Sequence, residues 1–326
     1  MRRLTTGKTR GLQQLANSYG IFAMCAMDHR DSLKHMLSGK GPEIATYQAM
    51  VDFKMDLCHI LAPSASAVLL DPVYGAKQAV SSWTLPGDKG LLVSLEDTEY
   101  YSTNEGRITK LLPDWGVAEV KRLGASAAKL LLYYRPDLLA VASKQLDTVR
   151  KLADDCEQEE LAFLVEPKAY AVDDRENNPS EFATIRPDLV IETARQITAL
   201  PIDVLKAEFP ADMEFEKDEG RLLYLCQQLD RASQVPWVIL SAGVSFEVFA
   251  RQVEIACKTG ASGFLAGRAL WQEATSASSR EERQRFLQNT VAQRLDRLTD
   301  IANTYGTPWY LKTTSGSTQS SLATVA

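Results

Sequence analysis

Along this chain short apolar runs recur, and each meets a polar or charged residue at or near its end. IFAMCAMD ends at Asp28, and SAVLLD ends at Asp71. GLLVSLE closes near Glu96, and AAKLLLYY contains Lys129. LAFLVE ends at Glu166, DVLKAEF contains Lys206, PWVILSAG reaches Ser241 and GFLAGR reaches Arg268. The apolar stretches are short and rich in Val, Ile, Leu and Phe. A strand with one wet face would alternate apolar and polar residues. A continuous apolar run is what a parallel strand buried on both faces requires.

Between most of these runs the apolar spacing changes to that of a helix. TYQAMVDFKMDLCHIL (46–61), VAEVKRLGA (117–125), LLYLCQQLDRA (222–232) and FEVFARQVEIACKTGA (246–261) show it. The last contains Gly260, suited to the position just past a helix end. Strands alternating with helices imply βαβ units, and eight of them favour a closed (β/α)8 barrel over an open sheet. The absence of GxGxxG after the first strand argues against a dinucleotide-binding fold. The pattern predicts an N-terminal helical extension over 1–18, acting as a lid, and one barrel domain over 19–312. Helical, charged segments over 275–311 cap the end of the chain, and the low-complexity tail 313–326 is expected to be disordered.

Composition narrows the function classes. The chain has 326 residues with 36 Lys and Arg against 42 Asp and Glu, a net charge of −6. That balance argues against nucleic acid as a partner, since a basic stripe is absent. A few local cations could still hold a phosphate. No apolar run reaches the roughly 20 residues of a membrane span. The N-terminus lacks the apolar core of a signal peptide. The five cysteines are scattered, form no CxxC pair and read as buried, reduced thiols of a cytoplasmic protein. With only three histidines, His29, His35 and His59, a zinc site would need nearly all of them to converge, so no metal or other cofactor is expected.

In such barrels the chemistry sits at the C-terminal ends of the strands. That rule gathers Asp28, Asp71, Glu96, Lys129, Glu166, Lys206, Ser241 and Arg268. A lysine inside a buried strand is costly as a cation. As a neutral amine, Lys206 could attack a ketone, and the resulting iminium would accept electrons when a carbon–carbon bond breaks. The alternative is a lysine that reaches solvent. Lys129 could disfavour charge on Lys206, bind a substrate oxyanion, act as nucleophile itself, or form a structural ion pair. Glu166 is placed to move protons or to form a buried salt bridge. Ser241, Gly243, Gly267 and Arg268 could cradle a phosphate after the last two strands. Asp28 and His29 could contact a sugar hydroxyl, and Arg30 a second phosphate, or Asp28 could cap a helix. Asp71 could line the site or order a turn, and Glu96 could hydrogen-bond there or pair with Arg107.

These segments resemble the class I tagatose-1,6-bisphosphate aldolase family from about Tyr19 to Trp271. The carriers are MDHRDSLKHML, LLDPVYG, AAKLLLYY, FLVEPKAY, DVLKAEFP, WVILSAGVS and GFLAGRALW. The resemblance implies a metal-free barrel with Lys206 as Schiff-base lysine, Glu166 as acid/base and Lys129 as substrate-binding neighbour. It also implies phosphate contacts from Ser241, Gly243, Gly267 and Arg268. The implied reaction is cleavage of a ketose bisphosphate to dihydroxyacetone phosphate and glyceraldehyde 3-phosphate. A homodimer or homotetramer is common for barrels of this kind and is the expected assembly. Two positions depart from that pattern: His29 stands where the family has Gln, and Arg135 follows LLYY where acidic residues are usual. The stretch from WVILSAGVS to GFLAGRA is also similar to the aldolase that cleaves 6-deoxy-6-sulfofructose 1-phosphate to dihydroxyacetone phosphate and sulfolactaldehyde. A sugar-phosphate-binding regulator without turnover is a third reading, but no part of the catalytic set is missing.

Overall fold

The computed structural model describes residues 4–39, 44–103 and 105–313. Ten strands lie among the described residues. They are β1 (Phe22–Met27), β2 (Ala67–Leu70), β3 (Gly90–Ser94), β4 (Glu96–Thr103), β5 (Gly106–Leu111), β6 (Ala127–Tyr133), β7 (Ala162–Lys168), β8 (Val204–Ala207), β9 (Trp237–Leu240) and β10 (Gly263–Ala266). Eight of them close a parallel barrel in the order β1, β2, β3, β6, β7, β8, β9, β10 and back to β1. These are the eight apolar runs of the sequence. β4 and β5 form a separate antiparallel hairpin, which the sequence pattern does not predict.

Helices surround the barrel. Tyr47–Leu61, Val117–Arg122, Glu219–Ala232 and Phe246–Lys258 match the helical patterns, and Leu139–Gln158 and Pro179–Thr198 add two longer ones. Arg280–Phe286 and Ala292–Tyr305 make up most of the helical C-terminal part. Among the described residues no helix is long and apolar enough to cross a membrane. All five cysteines are buried and free. The tail from residue 314 onward lies outside the described residues.

Because side chains alternate across a strand, parity divides the apolar runs into two sets. Phe22 and Met24 of β1, Ala67 and Leu69 of β2, Leu92 of β3, and Ala127 of β6 pack together in the lumen. Ala162 and Leu164 of β7, Val204 of β8, Val238 of β9 and Leu265 of β10 belong to that cluster too. The neighbouring residues, such as Cys25, Val68, Leu130, Val165 and Ile239, join a second cluster between barrel and helices. Lys129 follows Ala127 at the same parity, Glu166 follows Leu164, and Lys206 follows Val204. All three therefore point into the lumen, one layer above the apolar filling.

The N-terminal helix Thr6–Leu15 is not a lid over this upper end. Leu12 and Leu15 belong to the lumen cluster, together with Trp309, whose ring stacks on Phe22 at 6.5 Å. A β-carbon at Gly11 would collide with the Ser126 carbonyl just before β6, so only glycine lets the helix approach the strand starts so closely. The helix thus plugs the bottom of the barrel. Lys8 anchors it there through Asp203, which precedes β8, with 2.8 Å between two fully buried groups. An amphipathic helix seeks an apolar surface, and the bottom of the lumen supplies one.

Candidate active site

At the C-terminal end of the lumen, buried charges form a closed set. The Lys129 ammonium, 1% exposed, contacts Asp28 at 2.8 Å, Glu96 at 2.6 Å and Glu166 at 3.0 Å. Lys206, 4% exposed, reaches the same Glu166 oxygen at 2.8 Å. The two lysines therefore share one carboxylate, and Lys129 has two more of its own. Glu96 is fixed from several sides. Its second oxygen accepts from the Leu131 N–H at 3.0 Å, and its carbonyl accepts from the Arg30 guanidinium. Glu96 is the first residue of the hairpin, and it pairs with Lys129 instead of Arg107.

The charges set one another's protonation. Burial by itself raises the Asp28 carboxyl, but Lys129 and Lys206 outweigh it and hold the group far below the usual carboxylate range. Burial likewise opposes ionisation of Glu166, and the same two lysines overcome it and hold its carboxyl low. For Lys129 burial disfavours the cation, yet Asp28, Glu166 and Glu96 together push its ammonium well above the ordinary lysine value. Lys129 is thus a fixed cation. Among the described residues no group of three His, Cys, Asp or Glu side chains is placed to hold a metal ion.

A cavity of about 280 Å³ opens above this set. Asp28, His29, Arg30, Glu166, Lys206, Ser241, Gly267 and Arg268 all line it. Ser241 accepts a hydrogen bond from the Gly267 N–H at 3.4 Å, joining the ends of β9 and β10. Gly243, with φ +82°, lies outside this lining; a β-carbon there would sit 3.4 Å from the Arg268 guanidinium carbon. A β-carbon at Gly267 would lie 2.8 Å from the His29 ring, so this glycine makes room for the imidazole. His29 stands edge-on to Trp271 with centroids 5.1 Å apart. Burial is the main cause lowering its imidazole to about 3, against the opposing pull of Asp28, so the ring is neutral near pH 7. Its Nδ1 is buried without a hydrogen-bond partner. A wider groove of about 890 Å³ lies behind Gly243 and Arg268, but its Arg294 and Arg297 are paired with Glu273 and Glu247.

Asp71 is not brought to this cavity. It is 0% exposed, forms an ion pair with the buried Lys54, and caps the turn by accepting from the Val73 and Tyr74 N–H groups at 2.9 and 2.8 Å. Its place at a strand end suggested a ligand contact, but Lys54, from the helix Tyr47–Leu61, claims it. Arg135 has a structural place as well. It is buried, contacts Asp137 and Glu176, and donates to the Tyr170 carbonyl at 2.8 Å, tying together the loops after β6 and β7. Glu96, which the strand-end rule gathers, lines the cavity, and so do Tyr133 and Lys168, which that rule does not reach. Tyr133 and Lys168 stand at the last rung shared by β6 and β7. Continuing the lumen parity two residues past Leu131 and Glu166 would have found them.

The model of the DeoC/LacD family aldolases matches residues 22–273. The tagatose 1,6-diphosphate aldolase 1 of Enterococcus faecalis is 33% identical over 288 residues, covering 84% of this chain and 86% of the relative. The tagatose 1,6-diphosphate aldolase of Staphylococcus epidermidis is 31% identical over 319 residues, covering 93% and 97%. Among solved structures, a fructose-bisphosphate aldolase from Plasmodium falciparum overlays with a TM-score of 0.66 at 16% identity, covering 97% of this chain and 98% of the other. An archaeal fructose 1,6-bisphosphate aldolase overlays with a TM-score of 0.59 at 17% identity, covering 91% and 99%. At such identities the overlays speak for the barrel fold alone.

Proposed function

The chain belongs to the DeoC/LacD aldolase family, and on that premise we propose that it is a metal-independent, cytoplasmic class I aldolase cleaving D-tagatose 1,6-bisphosphate, with Lys206 as its Schiff-base lysine. The observation that carries the choice of lysine is the unequal company of the two buried amines. Lys129 faces three carboxylates and is locked as a cation, whereas Lys206 has ion-pair contact only with Glu166 among the described residues. A nucleophilic amine must be able to lose its proton, and Lys206 has an acceptor for it at 2.8 Å.

The reaction follows from that pair. The Lys206 amine adds to the ketone carbon, giving a carbinolamine, and loss of water gives the iminium. Glu166 then takes the proton of the hydroxyl on carbon four. The bond between carbons three and four breaks, its electron pair moves to the iminium nitrogen, and glyceraldehyde 3-phosphate leaves. The neutral enamine takes a proton from Glu166 at carbon three, and water releases dihydroxyacetone phosphate from Lys206.

Charge alternates between the two groups during this cycle. When the nitrogen is cationic, Glu166 is favoured as a carboxylate; when the nitrogen is a neutral enamine, one cation beside Glu166 is gone and its proton is better held. Lys129 stays charged throughout and keeps Glu166 and Asp28 in place. Arg268, Ser241, Gly243 and Gly267 are proposed to hold one phosphate. Asp28 and the neutral His29 are proposed to contact sugar hydroxyls. The names of the two relatives support tagatose 1,6-bisphosphate as the ketose. The test is to incubate the enzyme with that sugar in excess chelator and measure both triose phosphates. Their formation supports the reading, and no cleavage of any ketose bisphosphate overturns it.

A further inference from the structure

The phosphate cradle on β9 and β10 accounts for one end of a bisphosphorylated sugar. Going round the barrel, β10 lies opposite β6, and β9 lies opposite β3. The wall facing the cradle is therefore the end of β6 and the hairpin that follows β3, with β7 next to β6. Tyr133 and Lys168 are register partners on that wall, at the top rung between β6 and β7. They share the lumen parity of Lys129 and Glu166, and both line the cavity. Neither the Lys168 ammonium nor the Tyr133 hydroxyl has a protein hydrogen-bond partner or ion pair among the described residues.

Tyr133 is held firmly. Its ring lies 4.7 Å from that of Tyr100 and 6.2 Å from that of Tyr170, and the Arg107 guanidinium sits between the three rings at 4.8 to 5.5 Å. Its backbone N–H donates to Thr109 at 2.9 Å, and its carbonyl accepts from Gln145 at 2.6 Å. Burial, and after it Tyr100, raises the Tyr133 hydroxyl above the ordinary tyrosine value, so it is an O–H donor near neutral pH. Arg30 is less suited to the far end. It follows β1, beside the cradle, and part of its guanidinium is bound to the Glu96 carbonyl.

We infer that Lys168 and Tyr133 form the second anion subsite, holding the phosphate at the end of the sugar remote from the Arg268 cradle. This rests on the aldolase reading above. With the 1-phosphate in the Arg268 cradle, it makes Lys168 the residue that separates a ketose bisphosphate from a ketose 1-phosphate, because only the former presents a dianion to that wall.

The test compares kcat/KM for D-tagatose 1,6-bisphosphate and D-tagatose 1-phosphate in the wild type, Lys168→Ala, Lys168→Arg and Arg30→Ala. The inference expects Lys168→Ala to lower the bisphosphate-to-monophosphate ratio roughly tenfold to a hundredfold, the range of one charge-assisted hydrogen bond. It expects Lys168→Arg to restore most of the ratio. An unchanged ratio in Lys168→Ala, an equal loss on both sugars, or a ratio that falls only in Arg30→Ala overturns it. Borohydride labelling of Lys206 with dihydroxyacetone phosphate, run on the wild type, tests the aldolase reading separately.

Discussion

Lys129 and Lys206 meet the same oxygen of Glu166, at 3.0 and 2.8 Å. Two amines held against one carboxylate oxygen would repel if both were charged and alone. The shared carboxylate holds both amines at one point, and Lys129, with Asp28 and Glu96 beside it as well, is a fixed cation. The account assigns chemistry to Lys206, so Lys206→Met should lower kcat by about 10⁴-fold or more. A cleavage assay checks this, with circular dichroism to show that the barrel is intact.

Lys129 has a structural consequence as well as an electrostatic one. Replacing it with Met leaves Asp28, Glu96 and Glu166 facing one another without their cation. Breaking a buried ion pair from one side typically costs about 3–5 kcal/mol. Lys129→Met should therefore unfold at clearly lower urea concentration than the wild type. A denaturation midpoint equal to the wild type's would contradict the network drawn here.

In the proposed cycle Glu166 carries the moving proton. Glu166→Gln keeps the shape but cannot accept a proton, and kcat should fall by about 10²- to 10⁴-fold. Stopped assays over a range of enzyme concentrations would measure a loss of that size.

Acid should loosen the fold through His29. Its imidazole is lowered from 6.5 to about 3 in the folded chain. Below the unfolded value the unfolded chain binds the proton first, so this contribution is whole above pH 6.5 and is lost as pH falls toward the folded value. Asp28 and Glu166, also lowered, act in the same direction from about pH 4.5 downward. His29→Gln removes the upper part of that slope. Thermal melts between about pH 7 and pH 5 should show a flatter dependence in the variant than in the wild type.

The bottom of the barrel should be separable from the chemistry. Lys8→Met takes the buried ammonium away from Asp203 and should cost about 3 kcal/mol of stability. The helix it anchors lies at the opposite end from Lys206, so kcat well below the melting temperature should stay near the wild-type value. Parallel melting and activity curves would check both halves.

Some of this was legible in the residues and some was not. The eight strands stood out because a strand covered on both faces must be apolar throughout. That same continuity hides which side chains point inward, and only counting from the lumen residues shows that Lys129, Glu166 and Lys206 share one parity. The hairpin Glu96–Thr103 with Gly106–Leu111 escaped because EDTEYYST has no apolar alternation. It is held instead by tyrosines stacked around Arg107. Asp71 was misplaced because the partner that claims it, Lys54, is a buried cation on a helix whose pattern gives no sign of it. The N-terminal helix was legible as a helix, but amphipathicity does not say which end of a barrel it covers. Pro179–Thr198 was harder to read, with Pro187 inside it.

The central claim is that Lys206 is the amine that bonds to the ketone. Treat the enzyme with dihydroxyacetone phosphate and borohydride, digest it, and map the modified peptide by mass spectrometry. The account predicts a stable adduct on Lys206 in the wild type and none in Lys206→Met. An adduct on Lys129, or no adduct in an enzyme that cleaves its sugar, would contradict it.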